Sequence, residues 1–160
     1  LDECTRAILY SRKYHQLGIN NHNIFIEGCL TKTSVIQWCQ LFGNRTEDIH
    51  WSKLDLTRGS SPFGRAQILQ CTDFNEEEWT DYHRQMIEIR NKFFAHFDID
   101  QLISHVPPFE PALKTLLCYR QWLIDQIEIT RASVQGELNE CGFQNNDTFL
   151  KAVNNELSIQ

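Results

Sequence analysis

The stretch NEEEWTDYHRQMIEIRNKFFAHF, residues 75–97, decides the fold because it is typical of one long helix with a sharply defined start. Asn75 and Glu78 have the spacing of a capping box, in which each side chain accepts a hydrogen bond from the other residue's backbone N–H. Glu76 and Glu77 add negative charge at the positive end of the helix dipole. We therefore predict a single helix through this whole stretch.

This predicted helix carries two apolar seams. The first comprises Trp79, Tyr82, Met86, Ile89, Phe93 and His96, and the second, one position along, comprises His83, Ile87, Arg90, Phe94 and Phe97. A helix with so wide an apolar surface is either central in its bundle or shared with a partner subunit. An arginine inside the second seam needs a carboxylate, a backbone carbonyl or a bound anion as its partner.

The rest of the chain shows helical periodicity on both sides of this stretch. Apolar residues at steps of three and four predict helices over residues 2–17, 24–42, 62–71 and 111–132, and a last helix capped within residues 145–147. Ser61 as a cap and Pro62 at the first helical position mark the start of the third of these helices. No strand-length alternation competes with this pattern, apart from a brief one at residues 49–51. We predict an all-α helical bundle of about five to six helices, in a single domain spanning residues 1–160.

One long irregular stretch, residues 43–61, interrupts the helices. Loops of this length in a compact domain are often functional or mobile. This one contains Trp51, Leu54 and Leu56, which either cover an edge of the core or meet a partner. We favour the first interpretation, because an aromatic residue alone is weak evidence for a site.

Composition restricts the possible functions. The net charge of −6 argues against a broad cationic surface that holds nucleic acid non-specifically, so any contact with nucleic acid is expected to be local. The six cysteines have no Cys-x-x-Cys spacing, and we expect reduced, small core residues rather than a disulfide framework. The sequence has no 18-residue apolar run and no secretory pattern, which favours a cytoplasmic protein with no membrane contact.

Arg90 and His96 form the candidate functional pair, because a permanent cation and a base that titrates near neutrality suit chemistry on phosphodiesters. On a straight helix the two residues are separated by about 9 Å of rise and about 120° of rotation. They could act on one group if the chain leaves the helix near His96, or if a two-fold axis brings a second copy alongside. The structural alternatives are a core histidine at a helix C-terminus and an internal ion pair between Arg90 and a carboxylate.

The motif Arg90-Asn91, four further residues and then His96, late in a helix of an all-α domain, resembles the signature of the HEPN superfamily. The wider string Arg-Asn-Lys-Phe-Phe-Ala-His-Phe-Asp, residues 90–98, is similar to the prokaryotic defence and toxin branch of that superfamily. The resemblance implies a helical bundle that dimerises and forms a metal-independent endoribonuclease site at the two-fold cleft, with no cofactor. It also implies an RNA substrate and an antitoxin or regulatory protein as a partner.

The resemblance also implies a role for each residue of the motif. His96 would assist attack of an RNA 2′-hydroxyl on the adjacent phosphate, and Arg90 would stabilise the charge that develops on the phosphoryl oxygens. Asn91 would orient His96 or the phosphate. Asp98 either supports the imidazole or is an ordinary residue of the turn after the helix. No metal is expected, and the other histidines, His15, His22, His50, His83 and His105, show no ligand spacing.

Two features depart from the HEPN pattern. Toxins of this superfamily that pair with nucleotidyltransferase antitoxins commonly carry a tyrosine two residues after the histidine, where this chain has Asp98. The acidic balance of the chain also favours either a narrow RNA substrate or a domain that keeps the motif without the activity. The alternative function is therefore a non-catalytic helical module that binds a protein partner or a nucleotide. If Arg90 and His96 are both buried and internally paired, the catalytic hypothesis fails.

Overall fold

The computed structural model describes residues 1–17, 21–54, 62–95, 106–133 and 146–158. Within these ranges the chain forms six α-helices, one short 3-10 helix and no strand, so the predicted all-α bundle is confirmed. The α-helices are α1 (Asp2–Gln16), α2 (Asn21–Phe42), α3 (Arg65–Thr72), α4 (Glu76–Ala95), α5 (Glu110–Ser133) and α6 (Asn146–Ser158). None of the helices in the described ranges is long and apolar enough to cross a membrane.

The start of α4 has the predicted capping box. Asn75 Oδ1 accepts hydrogen bonds from the backbone N–H groups of Glu77 and Glu78, at 2.9 and 3.0 Å. Glu78 Oε2 accepts from the backbone N–H of Asn75 at 2.8 Å. These three bonds satisfy donors that the first turn of a helix leaves without intrahelical partners, and they fix where α4 begins.

The predicted start of α3 is wrong by three residues. Pro62 lies before the helix, and the cap is Gly64, whose backbone N–H donates to Gln67 Oε1 at 3.0 Å. The same side chain donates from Nε2 to the Pro62 carbonyl at 3.3 Å. Because Gln67 binds the Gly64 N–H and the Pro62 carbonyl, Gly64 stays extended and α3 starts at Arg65. Its C-cap, Asp73, is in the left-handed region with φ 61°.

The core lies where α1, α2, α4 and α5 meet. The described part of the first seam of α4 is buried in it, with Trp79, Tyr82, Met86 and Ile89 all less than 10% exposed. These residues face α2, where Trp38 lies 5.9 Å from both the Trp79 and the Tyr82 ring centroids. The indole N–H of Trp38 donates to Thr115 Oγ1 of α5 at 3.0 Å, which ties α2 to α5. The helix is thus central in its bundle along this seam.

The five described cysteines are free thiols. Two of them, Cys4 and Cys39, are buried in the core, and burial raises the pKa of each thiol to about 12. These two are small apolar residues of the kind that the sequence predicts. Cys141 lies outside the described residues.

Candidate functional site

Only part of the motif lies within the described residues. Arg90 and Asn91 lie on the last turns of α4, where the side chain of Asn91 is exposed and that of Arg90 is mostly covered. His96 and Asp98 lie outside the described residues. The geometry of the site is therefore that of Arg90 and its neighbours.

The guanidinium of Arg90 has partners on two sides. Nη1 donates to Glu47 Oε1 at 3.0 Å, and Nε and Nη2 donate to Asn91 Oδ1 at 3.3 and 3.2 Å. The Arg90 side chain is 12% exposed and that of Glu47 is 35% exposed. The described partner of Asn91 is thus Arg90, whereas the resemblance implies that Asn91 orients His96 or the phosphate.

Glu47 reaches Arg90 because the segment that follows α2, residues 43–54, folds back along α4. Gly43 donates its backbone N–H to Cys39 O at 2.8 Å and closes α2. His83 Nε2 donates to the carbonyls of Phe42 and Gly43, at 2.8 and 3.3 Å. Two polar residues of the second seam, His83 and Arg90, therefore bind this segment of the same chain.

The prediction that Trp51, Leu54 and Leu56 cover an edge of the core holds for only part of this set. Trp51 begins the 3-10 helix Trp51–Lys53 and packs on the core, 5.6 Å from the Phe63 ring centroid, as the prediction of a covered core edge requires. Leu54 is 45% exposed, so the prediction is wrong for this residue. Its backbone is extended just after the 3-10 helix, beyond the part that packs on the core. Leu56 lies outside the described residues.

Glu47 is the anionic partner of Arg90, although a thiol is also close. Cys39 lies near both charged residues, but burial raises the pKa of its thiol to about 12 and outweighs the opposing effect of Arg90. A neutral thiol supplies no counter-charge at neutral pH. If another anion displaced Glu47, that anion would therefore take over as the negatively charged partner of Arg90 among its described contacts.

His50 is a buried histidine that the sequence offered no reason to single out. It is 4% exposed, and its Nδ1 accepts from the Ser52 backbone N–H at 3.2 Å and is 2.8 Å from Ser52 Oγ. Burial lowers the pKa of His50, the nearby Arg45, His83 and Lys53 lower it further, and a hydrogen bond with the Gly43 backbone opposes these effects. In the described ranges no group of three His, Cys, Asp or Glu residues could hold a metal ion.

Comparisons of this chain with protein-family models, with curated proteins and with solved structures find no match. The interpretation of the site therefore depends on the motif and on the contacts of Arg90. Arg90 meets both conditions of the structural alternative, since it is largely buried and paired within the chain. The arrangement is also one that holds an anionic oxygen against a fixed guanidinium, which is the interaction that a phosphate would make.

A cleft of about 330 Å³ lies between α1, α2 and residues 106–109, away from the motif in the sequence. It contains His15, whose Nδ1 lies 2.9 Å from Glu27 Oε1, and Arg12, whose Nη2 donates to Glu110 Oε2 at 2.6 Å. No local pattern predicts this cleft, because its lining residues come from α1, α2 and residues 106–109, which are far apart in the sequence. Arg12, His15 and Glu27, which line the cleft, each have a partner within the chain, so none of these three is left to select a ligand.

Proposed function

We propose that this chain is a homodimeric, metal-independent endoribonuclease of the HEPN type, with Arg90, Asn91 and His96 as its site residues and a role in prokaryotic defence or toxin–antitoxin control. The observation that carries the proposal is the carboxylate oxygen of Glu47 held 3.0 Å from Arg90 Nη1. Asn91 holds the other edge of the guanidinium. Arg90 is thus already oriented for an anionic oxygen before any substrate arrives.

In this mechanism the phosphate of RNA takes the place of Glu47 on Arg90. Glu47 belongs to a surface segment and is about one third exposed, so its carboxylate can return to water at small cost. His96 then removes the proton of the 2′-hydroxyl, the 2′-oxygen bonds to phosphorus, and the bond from phosphorus to the 5′-oxygen breaks. The histidine of the second copy protonates the leaving 5′-oxygen, and the products are a cyclic phosphate end and a 5′-hydroxyl end.

The test is cleavage of mixed cellular RNA by the purified protein in excess EDTA. His96→Ala and Arg90→Ala are run beside the wild type, with folding checked by circular dichroism and thermal unfolding. Lys92→Ala is the matched control, because it removes one exposed cation from the same turn of α4 without changing the motif. We expect cleavage by wild type and by Lys92→Ala, and a loss of at least about 100-fold in both motif variants.

Two results would contradict the proposal. Folded motif variants that cleave at the wild-type rate would show that these residues do not carry out the reaction. A folded wild-type dimer that leaves RNA intact would favour the second candidate, a non-catalytic helical module for a protein partner or a nucleotide. The specific observation for that candidate is the burial of Arg90, because a side chain only 12% exposed is typical of a structural arginine. Under that function Arg90→Ala lowers the unfolding free energy and no activity is lost.

A further inference from the structure

Two cysteines from different helices are in contact. Cys71 lies on α3 and Cys118 on α5, and the two thiols are close enough for each to shift the pKa of the other. Cys71 Sγ also lies 3.2 Å from the Ile68 carbonyl oxygen, and Cys118 Sγ lies 3.9 Å from that of Gln67. Because these two carbonyls are consecutive on α3, both sulfurs lie beside the same turn of that helix.

This pair differs from the cysteines of the core. Cys4 and Cys39 are at most 1% exposed. Cys71 and Cys118 are only partly buried, so a small solute can reach them. Contact between two thiols together with access for a small oxidant is the combination that reversible disulfide formation requires.

We propose that Cys71 and Cys118 form a reversible disulfide that links α3 to α5 when the chain meets a small-molecule disulfide such as oxidised glutathione. The thiolate of one cysteine of the pair attacks one sulfur of the oxidant, forms a mixed disulfide and releases one small thiolate. The sulfur of the other cysteine then attacks this mixed disulfide and displaces the second small thiolate. The protein loses two S–H hydrogens and gains one S–S bond, and the oxidant is reduced to two thiols.

Because each thiol shifts the pKa of the other, the two lose their protons one at a time. The thiol that ionises first attacks the oxidant, and the other resolves the mixed disulfide.

The test uses the full chain, reduced, desalted and then exposed to oxidised glutathione. Free thiols are blocked with N-ethylmaleimide under denaturing conditions, and the intact mass is measured. We expect two fewer blocked cysteines than in the reduced protein, and a tryptic pair that joins peptide 66–84 to peptide 115–120. The oxidised form should unfold at a temperature higher by roughly 4 to 10 °C, and dithiothreitol should reverse both changes.

Three variants isolate the pair. Cys29→Ser, which removes another partly buried cysteine, should still give the linked peptides. Cys71→Ser and Cys118→Ser should each stop at a glutathione adduct on the remaining cysteine of the pair, and neither should give the linked peptides. The proposal is overturned if wild type keeps all its free thiols, if an adduct on either cysteine persists in wild type without closure, or if the linked peptides contain other cysteines.

Discussion

At the scale of single residues, the surroundings of Arg90 are the most informative. One edge of its guanidinium holds Asn91, and the other holds a carboxylate from a segment 43 residues away in the chain. The Arg90–Glu47 pair stabilises the fold, and the Glu47 carboxylate occupies the position on Arg90 that a phosphate would need. Stability and substrate affinity therefore respond differently to the removal of Glu47, and measuring both separates the two roles.

Glu47→Ala should lower the unfolding free energy by about 1 to 2 kcal/mol, less than for a fully buried ion pair because Glu47 is partly exposed. If Arg90 binds RNA phosphate, the same substitution should lower the KM for RNA, since the competing carboxylate is gone. Urea unfolding and cleavage kinetics measure the two effects. Asp48→Ala, which removes an exposed neighbouring charge, is the control and should change neither quantity appreciably.

His50 links stability to pH. Because its pKa is lowered in the folded protein, the unfolded chain binds more protons as the pH falls below about 6.5. The contribution of neutral His50 to stability is complete above that pH and is lost as the pH falls through the folded pKa. Urea unfolding between pH 7.5 and about 5 should show a smaller loss of stability for His50→Gln than for wild type. Parallel curves for the two proteins would contradict this prediction.

At the scale of elements, the capping box makes α4 a well-defined unit. Glu78→Ala removes the acceptor of the Asn75 N–H, and Asn75→Ala removes the acceptor of two N–H groups. We expect each substitution to cost about 1 kcal/mol of unfolding free energy. Glu78→Gln keeps an acceptor and should cost less. Equal losses for the Ala and Gln variants in urea unfolding would show that the charge, and not the hydrogen bond, stabilises this end.

The elements also show what a sequence can predict. The cap of α4 was predictable because its two side chains are three residues apart, and the seam of Trp79, Tyr82, Met86 and Ile89 because its spacing is that of the helix. The start of α3 was missed because the Gln67 side chain binds the Gly64 N–H and the Pro62 carbonyl. The pattern of Ser61 followed by Pro62 does not predict that contact. The partner of Arg90 and the contact between Cys71 and Cys118 depend on tertiary packing, which no local pattern specifies.

At the scale of the whole molecule, the proposed activity requires two copies. Light scattering should give twice the mass of the chain. If one cleft takes Arg90 and His96 from both copies, a mixture of Arg90→Ala and His96→Ala chains should regain part of the lost RNA cleavage. The mixture is unfolded and refolded together, so that mixed dimers form. Each variant refolded alone is the control, and a mixture as inactive as its components would contradict a shared cleft.

Gly43 sets the direction of the segment that carries Glu47. A Cβ at this position would lie 2.3 Å from the Cys39 carbonyl oxygen, which is part of the backbone and cannot move aside easily. Any other amino acid would have to shift the chain where it leaves α2, four residues before the carboxylate that meets Arg90. Position 43 should therefore be far less tolerant of substitution than its exposed neighbours Asn44 and Arg45.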